Sequence, residues 1–331
     1  MKQHKTERGF IVGLSAAILS VVVAIVLLVN RQYFVDQMTV WQYTPSPEIA
    51  SFAERTSMND TGKFYFYASQ PSLEAAASFN EKCDRKEEST AILGCYNGQY
   101  IYIYDVDDAT LDGIREVTAA HEMLHAAYVR MNDKDKSRVN ALIEEEYAKL
   151  KANADFSERM DFYARTEPGE RDNELHSIIA TEVADISPAL EQHYKTYFTD
   201  RSKVVALHTR YAKIFSELQT KATKLSSELT ELGDKIEAAS FTYNKDIAAF
   251  NQDVDEFKQK IDNGEFTTQA QVNAARNSLL ARADDLDARR TAINKDVALY
   301  NTRRAELAKI AAQSEALNRS IDSSLSPSPS L

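Results

Sequence analysis

Two histidines and a glutamate stand at a spacing that suits metal chemistry. They form His121-Glu122-Met123-Leu124-His125, an HExxH pattern inside the alanine-rich run EVTAAHEMLHAAYVRM at residues 116–131. Residues four apart share one face of an α-helix, so His121 and His125 can reach a single ion. Glu122 lies about 100° further round, placed to meet a water beside the ion rather than the ion itself. Zinc fits this donor set, because it accepts imidazole and carboxylate and a catalytic zinc keeps one position open. Such an ion brings the pKa of its water to about 7 and polarises a carbonyl. Glu122 would take the proton and pass it to a leaving amine, acting as general acid/base. Ile114, Val117, His121, Leu124, His125 and Tyr128 follow helical spacing, which sets the histidines on or beside an apolar stripe. Two histidines and a glutamate would be costly to bury there without a ligand.

The HEMLH motif resembles that of the zincin metallopeptidases, a likeness that covers the metal helix alone. The longer metzincin pattern needs Gly at Tyr128 and His at Met131, and has neither. The gluzincin branch takes its third ligand from a Glu on a later helix. Asn173-Glu174-Leu175-His176-Ser177 resembles the NExxS opening of that helix in thermolysin-like members, so Glu174 is the expected third ligand to His121 and His125. Ile178 stands where those enzymes usually carry Asp, which leaves the partner of a metal-bound histidine unassigned. Glu182 is the rival ligand, since Thr181-Glu182-Val183-Ala184-Asp185 loosely resembles the ExxAD helix of another gluzincin family, one residue out of register. His176, His193 and Tyr194 could stabilise an oxyanion. Packing or surface roles are the stronger reading for all three, and His176 falls about 200° from Glu174 round a helix. The resemblance implies an α+β zincin-like catalytic domain over residues 61–200, a small sheet packed on helices. It also implies one catalytic Zn2+ and a peptide or protein substrate.

Elements to position these groups are legible on both sides. Before the motif, residues 99–106, QYIYIYDV, read as a strand with Tyr100, Tyr102 and Tyr104 on one face and Ile101 and Ile103 on the other. A strand just ahead of the metal helix is either the sheet edge that pairs with an extended substrate, as the zincin likeness implies, or an ordinary interior strand. Asn97-Gly98 is a tight-turn signal leading into it. KFYFYA at 63–68 reads as a buried strand, and 73–82 as a helix. Pro47 opens a helix over 47–55 with Ser46 as cap. After the motif, helices are expected over 135–152, 156–164, 172–186 and 189–198, with TEPGER at 166–171 as a loop. Cys83 and Cys95 either pair, closing a ~13-residue loop worth roughly 3 kcal/mol in an oxidising compartment, or remain two buried thiols.

The 331-residue chain carries only nine glycines and seven prolines, so it is expected to be mostly α, and its net charge of −11 argues against a nucleic-acid partner. Residues 1–8 are short and basic. Residues 9–29 form an uncharged run long enough to cross a ~30 Å hydrocarbon core. Val29-Asn30-Arg31 offers no cleavage site of small residues, which favours a signal anchor over a cleaved signal peptide. The positive charge before the span keeps the N-terminus cytoplasmic and the rest outside, as a single-pass membrane protein. Residues 30–60 then read as a juxtamembrane connector.

From Arg201 onward charge and Leu/Ala content rise. Leu225, Leu229, Leu232, Ile236, Ala239 and Tyr243 step by four and three, as in a coiled coil. Ile247, Phe250, Val254, Phe257 and Ile261 resume after a four-residue offset like a stutter. Asp262-Asn263-Gly264 is a turn, and Leu279 to Leu307 repeats the pattern. Residues 201–322 are expected as an antiparallel coiled-coil hairpin, with one long dimerising helix as the alternative. Residues 323–331 are Ser/Pro-rich and expected to be disordered. Three functions fit: a membrane-anchored zinc peptidase, an amidase of cell-wall peptides using the same chemistry, or a non-catalytic envelope scaffold working through the coiled coil by self-association or a protein partner.

Overall fold

The computed structural model describes residues 18–83, 92–166 and 169–324. The chain is mostly helical with a small three-stranded sheet, and it divides into two compact units. Among the described residues, one unit runs from 18 to 213 and from 317 to 324; the other is the helical hairpin of residues 214–316.

Of the expected span at residues 9–29, residues 9–17 lie outside the described residues, and Ile18–Val29 is a helix, α1, with exposed side chains. Among the described residues no single helix is long and apolar enough to cross a membrane. The pair α1 and α2 (Arg31–Gln42) meets that test together, but is bent by 73°. α3 (Pro47–Arg55) starts where expected: the Ser46 hydroxyl accepts the Ile49 N–H and Pro47 occupies the first turn. Ile49, Phe52 and Ala53 of α3 are core residues. Residues 47–55, expected within a connector, therefore belong to the unit that carries the metal motif.

KFYFYA is not a strand. It lies in α4 (Asp60–Ala68), because the Asn59 carboxamide accepts the N–H groups of Thr61 and Gly62 and starts a helix that overrides the β preference of the aromatics. Gly62 lies directly against the Tyr197 carbonyl, an approach a side chain would block. The helix expected over 73–82 divides into β1 (Ser72–Glu74) and α5 (Ala76–Lys82). Cys83 at the end of α5 is disulfide-bonded to Cys95 in β2 (Gly94–Tyr96). Asn97 and Gly98 make the turn into β3 (Ile101–Tyr104); Gly98 has φ +93° and the Asn97 side chain accepts the Gln99 and Tyr100 N–H groups.

The sheet order is β1-β3-β2, with β1 parallel and β2 antiparallel to β3. β3 is thus the central strand. Both its edges are taken, so the interior reading holds and a substrate cannot pair with it. Ile101 and Ile103 are fully buried on the face that meets the helices.

The metal helix is α6 (Ile114–Val129). Asp108 caps a short 3-10 turn at Ala109–Leu111, and Gly113 at φ +103° separates that turn from the α-helix. α7 (Asp133–Leu150) is capped by Asn132, earlier than expected, and buries Val139 and Ile143. α8 (Ala154–Thr166), α9 (Arg171–Glu182) and α10 (Pro188–Tyr194) complete the core unit. α9 stops at Glu182 rather than Ile186, and no side chain caps its start.

The second unit is an antiparallel pair formed by the greater part of α11 (Ser202–Asp262) and α12 (Gln269–Ile321), turning at Gly264 with φ +69°. Glu228 pairs with Arg303, Lys235 with Asp296, Asp246 with Arg289 and Asp253 with Arg282. Partners climb one helix as they descend the other, as the hairpin reading requires. Steps along α12 are one heptad each. The step from Lys235 to Asp246 is four residues longer, beside the offset between Tyr243 and Ile247. These exposed pairs fix register more than stability. Ser323, expected in a disordered tail, is buried, and exchanges two hydrogen bonds with the Asn80 side chain at 3.2 and 2.6 Å. Residues 325–331 lie outside the described residues.

Candidate metal centre

α6 and α9 pack against one another, with the Tyr128 ring of α6 beside His176 and His125 beside Ser177 of α9. Leu175, Ile178 and Ile179 of α9 are buried in the same core. This contact brings Glu174, in the first turn of α9, onto the face of α6 that carries His121 and His125.

Nε2 of His125 lies 3.3 Å from Glu174 Oε1, and Nε2 of His121 lies 3.5 Å from Glu174 Oε2. The three donor atoms all fall within 4.8 Å of one another. A tetrahedron with metal–ligand bonds of about 2.0–2.1 Å has edges of about 3.3–3.4 Å, which the separation of His125 Nε2 from Glu174 Oε1 matches. His125 and Glu174 are buried and His121 is partly open, which leaves one side accessible. Burial opposes the charged form of His121. The hydrogen bond and charge of Glu174, with Glu122 and Glu182 behind it, outweigh that and raise its pKa.

Glu122 is buried beside β2. A Cβ built on Gly94 would come within 2.8 Å of Glu122 Oε1 and 2.6 Å of Thr118 Cγ2, so β2 passes over the carboxyl only because residue 94 has no side chain. The partner left unassigned by Ile178 is one residue earlier: Ser177 Oγ lies 3.4 Å from His125 Nδ1. That contact orients the ring with Nε2 toward Glu174.

The rival ligand is elsewhere. Glu182, at the far end of α9, has Oε2 3.5 Å from Nε2 of His208 in α11. Just beyond it Arg201 is buried and donates to the carbonyls of Ala180, Val183 and Ala184 at 3.1, 2.6 and 2.9 Å, while its Nε reaches Glu191 at 2.8 Å. A guanidinium thus caps the C-terminal carbonyls of the helix that supplies Glu174.

No protein-family model, curated protein or solved structure matches this chain.

His176, His193 and Tyr194 are packed rather than directed at the three donors. Their Nε2 atoms place His176 and His193 2.9 Å apart, and the Tyr194 hydroxyl donates to the His176 carbonyl at 2.7 Å. Nδ1 of His176 has no hydrogen-bond partner among the described residues. A bare lone pair is cheaper to bury than an unpaired N–H. The favoured tautomer therefore has His176 donating through Nε2 and His193 accepting. Burial, with the neighbouring imidazoles, pushes the His176 pKa far down. Burial, with Arg138, brings that of His193 to about 4.

The structure brings together His121, His125 and Glu174, the three ligands expected from the sequence, with Glu122 next to His121 on the same helix. Sequence reasoning missed Gly94, Arg201 and His208, which have no motif and are defined only by what folds against them. Ser177 was in the matched NExxS run but had no partner to be assigned to.

Proposed function

We propose that this protein is a membrane-anchored, extracytoplasmic zinc metallopeptidase with a zincin-like catalytic unit. One observation carries the reading: two imidazoles four residues apart on α6 and a carboxylate from α9 offer donor atoms within 4.8 Å of one another in a mostly buried setting. Two neutral imidazoles and one carboxylate form a donor set suited to zinc, with a fourth position left for water. A zinc ion bound there would supply Lewis-acid polarisation and a water acidic enough to attack near neutral pH.

The chain's own residues would do the rest. His121, His125 and Glu174 hold the ion, and Ser177 fixes the His125 ring. Glu122, adjacent to His121 and buried under β2, takes a proton as the water oxygen bonds to the scissile carbonyl carbon. It returns that proton to the nitrogen as the C–N bond breaks. Burial around Glu122 excludes bulk water from this transfer and strengthens its effect. The disulfide between Cys83 and Cys95 supports an oxidising, extracytoplasmic location. The uncharged run at residues 9–29 supports the anchor.

The test is metal analysis and peptide hydrolysis on the purified full chain. About one zinc per chain is expected, lost in His121→Ala and in Glu174→Ala. Glu122→Gln keeps the metal and loses turnover by at least ~100-fold, the scale of general acid–base catalysis. A wild-type chain that binds no zinc, or a Glu122→Gln protein of full activity, defeats the proposal.

A further inference from the structure

Helix α2 is built inside out. Its exposed side carries Phe34, Met38 and Trp41, four and three residues apart and 40%, 56% and 76% exposed, with Val35 beside them. Its buried side carries Asp36, only 3% exposed, which accepts from Gln32 at 3.0 Å and from Nε and Nη2 of Arg130, each at 2.9 Å. A helix on a water-facing surface has the opposite order, polar out and apolar in. Trp41 is the only tryptophan in the chain and the most exposed of these groups. The neighbouring element is equally apolar: α1, separated by Asn30 alone, exposes its isoleucine, leucine and valine side chains along its length.

The bend of 73° between the two helices reconciles them. If α1 runs through a bilayer near its normal, with the usual tilt of about 20°, α2 turns to lie close to the membrane plane. Amphipathic helices in that position bury their apolar face about 5–10 Å into the boundary between headgroups and acyl chains. Tryptophan concentrates at that depth.

We propose that α2 is an interfacial helix, with Phe34, Met38 and Trp41 inserted into the lipid surface. The buried pair of Asp36 and Arg130 ties it to the end of the metal helix. The inference rests on the membrane anchor proposed above but not on zinc or catalysis. Continuity with α1 selects lipid as the occupant of this face, over a second copy of the chain or a protein partner. Its consequence is orientation. Arg130 caps α6, so a helix lying flat on the bilayer fixes the direction of the element that bears His121 and His125 relative to the membrane.

Because Trp41 is unique, the full-length protein reports on this face through its own fluorescence. The probe is vesicles of phosphatidylcholine and phosphatidylglycerol containing lipid brominated near the glycerol end of the acyl chains. Vesicle flotation separately reports the anchor. The expected result is flotation with blue-shifted emission, intensity roughly halved by the brominated lipid, and little quenching by aqueous iodide. Phe34→Ser with Met38→Ser, both at exposed positions, should still float and keep its zinc, while losing most of the bromolipid quenching. Flotation with Trp41 open to iodide and insensitive to bromolipid overturns the proposal and leaves the anchor standing. Blue-shifted emission without bromolipid quenching assigns the face to protein and also overturns it. Unchanged quenching in the double variant overturns it as well, and failure to float removes the anchor and the inference together.

Discussion

Arg130 grips both carboxylate oxygens of Asp36 across 94 residues of sequence, each at 2.9 Å, with both side chains nearly inaccessible. The guanidinium also donates to the Tyr96 hydroxyl and the Ala126 carbonyl at 2.9 and 2.8 Å. One group therefore joins α2, β2 and the end of the metal helix. Removing one member of such a pair leaves the other charge buried and uncompensated. Asp36→Ala should cost about 3–5 kcal/mol by chemical denaturation of the metal-free chain. Replacing both residues with apolar ones, Asp36→Leu with Arg130→Met, should recover much of that loss; a double variant no more stable than the single would refute this account.

Ser177 should tune metal affinity without touching the metal. Ser177→Ala is expected to weaken zinc binding by about 10- to 100-fold, the usual effect of removing a group that orients a ligating histidine. Competition with a chromophoric chelator measures it. An unchanged affinity would show that the 3.4 Å contact with His125 does no orienting.

Gly94 separates catalysis from metal binding in the opposite way. Gly94→Ala places a methyl group against the Glu122 carboxyl and Thr118, so β2 or Glu122 must shift. Overpacking of this kind costs about 1–3 kcal/mol. Zinc content should stay near wild type while kcat falls, because the displaced group is Glu122 rather than a ligand. Loss of zinc in parallel with kcat would contradict that assignment.

Arg201 holds α9 in place from its far end. Arg201→Met removes the donors to three backbone carbonyls and the contact with Glu191, leaving the buried Ala180 carbonyl short of a donor at about 1–3 kcal/mol. A drop of at least ~2 kcal/mol in unfolding free energy is expected. Zinc affinity should weaken too, since Glu174 rides on the same helix.

The His176–His193 pair sets an acid limit. Both pKa values are depressed in the folded chain, so the unfolded chain binds more protons once pH falls below the ordinary histidine value of 6.5. Stability should therefore decline as pH drops from about 6.5 toward 4, where His193 titrates. His121 has a raised pKa, so its stabilising contribution is complete below 6.5 and is lost only as pH rises through the folded value; it does not mask the decline. Unfolding free energies of the metal-free protein between pH 7 and 4 check this, and a shallower decline in His193→Gln would identify its share, the rest belonging to His176.

What the sequence by itself determined was local. The four-residue spacing places His121 and His125 on one helix face whatever surrounds them. Ser46 before Pro47 starts a helix, Asn97-Gly98 forces a turn, and long heptads around Asn263-Gly264 make a hairpin. These depend on contacts within a few residues, which period and capping encode. Tertiary structure decided the remainder. Glu174 and Glu182 are eight residues apart, about 12 Å along the axis of α9, so one ion cannot reach both. Only the packing of α6 against α9 determines which end meets the histidines. KFYFYA became a helix because the Asn59 cap and the packing of Gly62 on Tyr197 outweighed strand preference. The central place of β3, the pairing of His176 with His193 and the capping of α9 by Arg201 depend on residues distant in sequence. Their energies come from burial and satisfied hydrogen bonds, which exist only once the chain has closed on itself.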